Sequence, residues 1–253
     1  MKNDYSLTLG IPTYNCEKTI EALITSAETM AILSNIKLTI IIVDDCSTDN
    51  TIKKINNMIS IYDNIKLFIN ETNSGMPSKG RNKIIEEANT DFITFADCDD
   101  LIIGTAHKKC MEYLYNSYLN TAAFRVLLIN RDNNDEYIRK FTNEDKIQII
   151  KGKQILKLKR FSTVWNKVYK TDFIKDLKFK QTAGEDILFT YSTYNKQFEI
   201  VVIPSMGYIH YIQNTSLGAI YKDNKELKQA QKKIRQEMIE KEFTNQELIE
   251  CLV

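Results

Sequence analysis

Three carboxylates stand close together where an apolar run of the sequence ends. The stretch "ITFADCDD", residues 93–100, contains Asp97, Asp99 and Asp100. If the apolar part is a buried strand, Asp97 and Asp99 point to the same side, because strand side chains alternate with a period of two. Two carboxylates so close together repel each other unless a cation or hydrogen-bond donors offset the repulsion. The spacing therefore predicts a shared ligand, and Mg²⁺ or Mn²⁺ suits carboxylate oxygens better than zinc.

Similar polar clusters follow three other apolar runs. "PTYNCE" occupies 12–17, "DDCSTDN" occupies 44–50 and "NETNSGMPSKGRN" occupies 70–82. An acid such as Asp45 at a strand end commonly accepts hydrogen bonds from a nucleoside. Lys79 and Arg81 stand at a predicted helix start between glycines, an arrangement that suits phosphate oxygens. Turn and capping chemistry is the alternative explanation for each cluster taken alone, the Asp-x-Asp pair included.

The elements that must position these residues alternate between strands and helices. Apolar, β-branched or aromatic runs predict strands at 5–11, 38–43, 65–69, 92–96 and 121–129. Apolar residues recur at helical spacing between the first four strands, and a further helix is expected over 184–196. Short connections between such elements predict an α/β fold, with a doubly wound, mainly parallel sheet and helices on both faces. The carboxyl ends of its strands open onto the ligand crevice.

Composition predicts one compact unit of enzyme size. The chain has 253 residues, 34 Lys+Arg against 33 Asp+Glu, and no apolar run near the ~20 residues of a membrane span. Its start lacks the features of a signal peptide, so we expect a cytoplasmic protein. The five cysteines are odd in number and lack metal-ligand spacing, which predicts reduced thiols. Residues 151–180 carry ten Lys/Arg against two acids, so this lysine-rich segment either faces an anionic partner or is ordinary solvated surface.

Seven motifs in order resemble those of the family 2 glycosyltransferases, which are inverting enzymes of the GT-A fold. They are "IPTYNCEKTIEALITS", "VDDCSTDNT", "NSGMPSKGRN", "FADCDD", "WNKVYK", "GEDILF" and "YIHYIQNTS". The bacterial members of this family decorate cell-wall polymers, capsules and exopolysaccharides. The resemblance implies a GT-A domain over 1–216, with a nucleotide-sugar half at 1–120 and an acceptor-side half at 121–216. Residues 217–253 are expected to form a helical C-terminal extension, and its role stays open between an oligomer interface, a membrane-lying helix and part of a longer protein.

Carried over residue by residue, the resemblance implies a donor site, to which the phosphate-binding segment adds Lys79. The residues are Pro12, Thr13 and Tyr14 at the nucleoside, Asp45 at the base, Asn73, Lys79 and Arg81 beside the donor, Asp97 at the ribose or sugar, and Arg125 at the donor sugar. The metal, Mn²⁺ or Mg²⁺, would be held by Asp99 with Asp97. His210 stands where many relatives carry arginine, so it would bind metal or diphosphate, unless it is a packed residue.

The acid of "GEDILF" has the family role of general base. Asp186 would take the proton of the acceptor hydroxyl, and Glu185 would set its orientation or pKa or merely stabilise the helix start. Trp165 is expected in the core or the acceptor wall, and His107 at the surface.

The function implied is metal-dependent, inverting transfer of a hexosyl or N-acetylhexosaminyl group. The donor would be a nucleotide-sugar, expected to be a UDP-sugar, and the acceptor a hydroxyl of a cell-surface glycan, polymer or lipid-linked molecule. Peripheral contact with the anionic inner membrane face is expected, and nucleic acid is not an expected partner.

Three other classes stay open. A sugar nucleotidyltransferase would carry a Gly-rich signature after the first strand, where "IPTYNCEK" lacks it. A Mg²⁺-binding phosphoacceptor domain would end before "WNKVYK". A non-catalytic nucleotide- or glycan-binding relative would bind without turnover.

Overall fold

The structure, a computed structural model, describes residues 5–133, 135–140, 142, 145–152, 155, 163–182 and 184–212. Its strands are β1 Ser6–Thr13, β2 Lys37–Asp44, β3 Ile65–Ile69, β4 Phe92–Phe95, β5 Leu101–Ile102, β6 Thr121–Asn130, β7 Glu136–Arg139, β8 Gln148–Lys151, β9 Lys167–Lys170 and β10 Glu199–Ile212. Its helices are α1 Ile20–Ser34, α2 Thr51–Ile59, α3 Ser78–Glu87, α4 Ala106–Tyr115, α5 Thr171–Ile174 and α6 Glu185–Lys196. The predicted strands and the helix expected over 184–196 are confirmed, whereas 217–253 lie outside the described residues.

All of these strands belong to one large sheet with the order β3-β2-β1-β4-β9-β6-β10-β5, to which β7 adds beside β6 and β8 beside β10. From β3 to β4 the pairings are parallel, as predicted. Strand β9 then lies antiparallel to both β4 and β6. The sheet is therefore parallel in the first half of the chain and mixed in the second.

Helices cover both faces of the parallel part because its strands are apolar on both sides. Along β2, Ile40 and Ile42 pack in the core that contains α1, whereas Ile41 and Val43 pack in the core that contains α3. Alternate residues thus bury their side chains on opposite faces, as expected for a central parallel strand. This sandwich fixes the strand ends relative to one another. No helix among the described residues is long and apolar enough to cross a membrane.

The prediction of reduced thiols is wrong for two cysteines. Cys16, which follows β1, and Cys98, which follows β4, are joined by a disulfide between positions 82 residues apart. The fold brings the two loops together because β1 and β4 are neighbours in the sheet. Local cysteine spacing carries no information on such a long-range pair. Cys46 and Cys110 are free.

The prediction that His107 lies at the surface is also wrong. Its side chain is fully buried in the first turn of α4, with its ring centroid 4.6 Å from that of Phe124. Neither ring nitrogen has a hydrogen-bond partner in the described part of the chain. Such a burial disfavours the charged imidazolium and costs free energy even for the neutral ring.

His107 predicts a pH-dependent instability. Burial lowers the pKa of His107 from 6.5 to about 4. Between these values the unfolded chain binds the proton and the folded chain does not, so this residue lowers stability as the pH falls below about 6.5. We expect His107→Leu to unfold with a higher free energy, and its advantage over the parent to grow by about 2 kcal/mol from pH 7 to pH 5.

Urea unfolding of the two proteins at both pH values measures this difference. The other titrating groups, His210 among them, are common to both proteins and cancel. A stability difference that is the same at pH 7 and pH 5 would contradict the prediction.

Candidate functional site

The carboxyl ends of β1, β2 and β4 form one rim of the sheet, and α3 packs closely against it. A Cβ atom on Gly80 of α3 would lie 3.2 Å from the Cβ of Pro12, so glycine permits this approach. Pro12 and Thr13 are buried at the end of β1, whereas the side chain of Tyr14 is 47% exposed. The predicted nucleoside segment therefore consists of a fixed wall followed by an available aromatic ring.

Asp45 organises the loop that leads to α3. Its carboxylate accepts hydrogen bonds from Asn70 Nδ2 at 2.7 Å, from Ser74 N at 2.8 Å and from Ser74 Oγ at 2.9 Å. Asn73 Oδ1 accepts from Gly75 N within the same loop. Asn73 and Lys79 are both exposed. The loop is held in shape by Asp45, and contact of these three residues with a donor stays a prediction.

Arg81 joins the two acidic motifs. Its side chain is only 5% exposed, and its Nη2 donates to Asp97 Oδ1 at 2.9 Å while its Nη1 donates to Glu185 Oε1. Its guanidinium also lies over the ring of Phe179, 5.5 Å from the centroid. One buried cation thus connects α3, the end of β4 and the start of α6.

Asp97, Asp100 and His210 form a candidate metal centre. One possible ligand atom from each lies within 4.8 Å of the others. Asp100 is 1% exposed, with its Oδ2 2.9 Å from His210 Nδ1, and its Oδ1 accepts from Tyr211 N at 2.9 Å. Two carboxylates and an imidazole suit Mn²⁺ well and leave positions for further oxygen ligands. The structure thus brings Asp97 and His210 together, as predicted, and adds Asp100, to which no metal role was assigned from the sequence.

His210 is fixed by its neighbours. Its ring stacks on Trp165 with centroids 4.8 Å apart, and Trp165 stacks in turn on Tyr208 at 5.2 Å. Burial lowers the pKa of His210, but the hydrogen bond and the charge of Asp100 outweigh burial and raise that pKa. Trp165 is buried, as expected of a core residue, and it also holds the imidazole at the candidate metal centre.

Asp99 lies beside this cluster and is not one of its three residues. Burial, followed by the charges of Asp100 and Asp97, raises the pKa of Asp99 to about 6. Its assignment to the metal stays a prediction.

Asp186 occupies the first turn of α6, where its Oδ1 accepts from Ile187 N at 2.8 Å. Burial raises the pKa of Asp186, and the charge of Arg81 offsets part of that increase. Burial likewise raises the pKa of Glu185, again with Arg81 in opposition. A carboxylate whose pKa is displaced toward neutrality is suited to accept a proton.

Lys167 was not singled out from the sequence, although "WNKVYK" contains it. It is fully buried in β9, and its Nζ donates to Asn166 Oδ1 at 2.9 Å and to the carbonyl oxygen of Thr163. Burial lowers the pKa of Lys167, against the charge of Asp186, which raises it. The sequence did contain one signal of this burial, namely that Lys167 stands beside the apolar residues of a strand.

Arg125 lies in β6, as predicted, and its side chain pairs with Asp145 at 2.7 Å. Its contact with a donor sugar stays a prediction.

Several lysines of the lysine-rich segment serve the fold. Lys151 pairs with Glu199, and Lys175 Nζ donates to carbonyl oxygens at the end of α3. Lys178 and Lys180 are exposed, and four further cations lie outside the described residues, namely Lys153, Lys157, Lys159 and Arg160.

Comparison with known proteins gives matches over most of the chain. The model of "Glycosyl transferase family 2" matches residues 8–178. Poly(ribitol-phosphate) beta-N-acetylglucosaminyltransferase TarS of Staphylococcus aureus (strain MW2) is 28% identical over 207 residues, covering 79% of this chain and 34% of TarS. An uncharacterized glycosyltransferase of Haemophilus influenzae is 31% identical over 186 residues, covering 72% of this chain and 69% of that protein.

A solved structure of S. aureus TarS 1-349 in complex with UDP-GlcNAc is similar in fold. Its TM-score is 0.70 at 26% identity, covering 84% of this chain and 60% of that one. The present chain spans about a third of the length of the TarS protein. Because the family model runs from β1 through the acidic loop after β4 to β9, the chain belongs to glycosyl transferase family 2 and has its GT-A-like fold.

Proposed function

We propose that this protein transfers a sugar from a UDP-sugar to a hydroxyl of a cell-surface polymer, glycan or lipid-linked acceptor, with inversion at the anomeric carbon. The observation that carries the proposal is the Arg81 bridge, which ties Asp97 of the candidate metal centre to Glu185, the neighbour of Asp186. The acids that we assign to the donor side and to the acceptor side are thereby connected through one cation. Two relatives support the substrate classes: a TarS structure contains UDP-GlcNAc, and a Campylobacter jejuni relative is named for an undecaprenol-linked acceptor.

The metal would be held by Asp97, Asp100 and His210, with Asp99 at its edge. A bound Mn²⁺ or Mg²⁺ offsets the negative charge of the diphosphate leaving group. Tyr14 would stack on the base, and the exposed Asn73 and Lys79 would face the donor. Arg125 is assigned to the donor sugar, whose class we place among hexoses and N-acetylhexosamines.

Asp186 would remove the proton from the acceptor hydroxyl as its oxygen attacks opposite the diphosphate. This role requires the ionised form, and Arg81 and Lys167 both favour the carboxylate. Glu185 is anchored by Arg81, so it would orient the first turn of α6 instead of taking the proton. Burial of these groups excludes water and strengthens their interactions.

The exposed Lys178 and Lys180 would contribute to contact with an anionic polymer or membrane surface, where each neutralised charge adds about 1 kcal/mol. Family membership weighs against a sugar nucleotidyltransferase. Turnover distinguishes the enzyme from a non-catalytic relative.

The base assignment predicts a selective loss of turnover. Asp186→Asn keeps the shape of the side chain but cannot accept the proton, so we expect kcat to fall about 10²- to 10⁴-fold while UDP affinity in Mn²⁺ is retained. UDP release from a panel of UDP-sugars, with and without candidate acceptors, measures turnover, and calorimetry measures binding. The exposed Asp172 provides the matched control, Asp172→Asn. Full activity of Asp186→Asn would contradict the assignment.

The metal centre predicts a graded loss of Mn²⁺ binding. Asp100→Asn and His210→Gln each remove one ligand, so we expect Mn²⁺ affinity to fall at least about tenfold. Asp99→Asn distinguishes a metal site made by Asp97, Asp100 and His210 from one in which Asp99 is the principal ligand. A smaller effect of this variant supports the cluster of Asp97, Asp100 and His210, whereas the largest effect supports Asp99 as the principal ligand. Electron paramagnetic resonance of free Mn²⁺ gives the affinities without an activity assay.

The Arg81 bridge predicts a large cost when the cation is removed. Arg81→Met leaves Asp97 and Glu185 without their counter-charge, so we expect a loss of about 3 to 5 kcal/mol in the free energy of unfolding at pH 7. The loss should shrink at pH 5, because burial without Arg81 raises the pKa of Glu185 further and favours its protonated form. Arg81→Lys keeps the positive charge but lacks the planar guanidinium that donates to Asp97 and Glu185 at once. We therefore expect kcat to fall in this variant too.

Lys83→Met on the same helix is the matched control for this measurement. Lys83 pairs with Glu87 at the surface, where such pairs contribute about 0 to 1 kcal/mol. Equal urea stabilities of Arg81→Met and Lys83→Met would contradict a structural role for the bridge.

A further inference from the structure

We propose that Cys16 and Cys98 form a redox-sensitive clamp on the proposed donor site. The disulfide joins the Cys16 loop, residues 14–19, to the acidic loop, residues 96–100. The two Cα atoms are 6.2 Å apart, inside the range of about 4.4 to 6.8 Å that disulfides adopt. The inference deepens the proposed function and rests on it, because its effect is on metal and nucleotide binding.

The two cysteines stand at the positions where a link between the loops matters most. Cys98 lies between Asp97 and Asp99, and Cys16 follows the segment that ends in Tyr14. Thr19 Oγ1 also donates to the carbonyl oxygen of Cys98 at 2.8 Å, so a covalent bond and a hydrogen bond join the same two loops. The disulfide therefore adds a covalent link between the loop after the nucleoside wall and the loop of the candidate metal ligand Asp97, beyond the pairing of β1 with β4.

Reduction removes the covalent link between the two loops, whereas the hydrogen bond from Thr19 to Cys98 stays. Cys16 is 8% exposed and packs in the main core, whereas Cys98 is half-buried at its edge.

We therefore expect the acidic loop to hold Asp97 less firmly at the candidate metal centre after reduction. Contacts that support metal ligands typically contribute about 10- to 100-fold to metal affinity. The oxidised form is the one that binds metal and nucleotide tightly.

The chemistry balances with glutathione disulfide as oxidant. The more exposed thiol, Cys98, displaces one glutathione from the oxidant and forms a mixed disulfide. Cys16 then attacks the Cys98 sulfur and releases the second glutathione. The two protein thiols lose two electrons and two protons, and the products are one disulfide and two molecules of reduced glutathione. A dithiol reductant reverses the reaction.

The first measurement locates the disulfide in the full chain. Protein is incubated with glutathione disulfide or with a phosphine reductant, desalted, alkylated and mapped by mass spectrometry. We expect Cys16 and Cys98 to resist alkylation after oxidation and to react after reduction, and the free Cys46 to react in both states. We also expect the oxidised protein to melt at least several degrees higher, since the bond closes a long loop. Equal alkylation of Cys16 and Cys98 in both states would overturn the proposal.

The second measurement determines the affinities for Mn²⁺ and for UDP in Mn²⁺, by calorimetry, in each redox state. We expect both to weaken by about tenfold on reduction, and Cys98→Ser to bind like the reduced protein in both states. Cys46→Ser is the matched control and should keep the full redox response. Affinities that agree within twofold between the states would overturn the clamp.

Failure of the proposed function and failure of the clamp give different combinations of binding and turnover results. Redox-dependent Mn²⁺ binding by a protein that transfers no sugar would contradict the function and support the clamp. A protein that binds neither Mn²⁺ nor UDP in either state would contradict both.

Discussion

The site depends on one buried cation. Arg81 holds Asp97, at the end of a central strand, and Glu185, at the start of a helix more than a hundred residues later. Each of these carboxylates is expensive to bury alone, and the guanidinium offsets both because its donors point in two directions from one plane. The helix that carries Asp186 is thereby tied to the strand end that carries the candidate metal ligand. In the proposed function, proton acceptance and leaving-group stabilisation would therefore depend on the same ion network.

The site residues come from two halves of the sheet, one parallel and one mixed. Its parallel half places Pro12, Asp45 and Asp97 along one rim by simple alternation of strands and helices. The mixed half brings Trp165 and His210 to that rim through β9 and β10, which pair beside strands distant in the chain. The candidate metal centre therefore needs both halves, since Asp97 and Asp100 come from one and His210 from the other. This dependence explains why the first half alone is an incomplete site.

Most of the architecture could be predicted from the sequence because its signals are local. The strand runs, the helical spacing and the polar strand ends each occupy a few consecutive residues, and the family motifs recur in order. Arg81, Asp97, Glu185, Asp186 and His210 were all selected on that basis, and ion pairs and charge interactions connect them in the fold.

What could not be predicted depends on contacts between distant segments. The Cys16–Cys98 bond, the pairing of Asp100 with His210 and the burial of His107 each involve partners from separate elements. Residue type was misleading as well, because Lys167 and Lys175 were counted as a cationic surface. The fold buries the first and uses the second to satisfy helix carbonyls.

The charge of the acid cluster around Arg81 explains why an anionic donor would need a cation there. Five carboxylates, Asp97, Asp99, Asp100, Glu185 and Asp186, share the region with the buried cations Arg81 and Lys167 and with His210. Burial and the neighbouring carboxylates raise the pKa values of Asp99 and Asp186, which shows that negative charge is costly in this cluster. In the proposed function, a nucleotide diphosphate would add further negative charge, so its binding would be unfavourable without a divalent ion. Metal and donor binding would then be coupled through the same carboxylates, and the acid cluster would make donor binding depend on the metal.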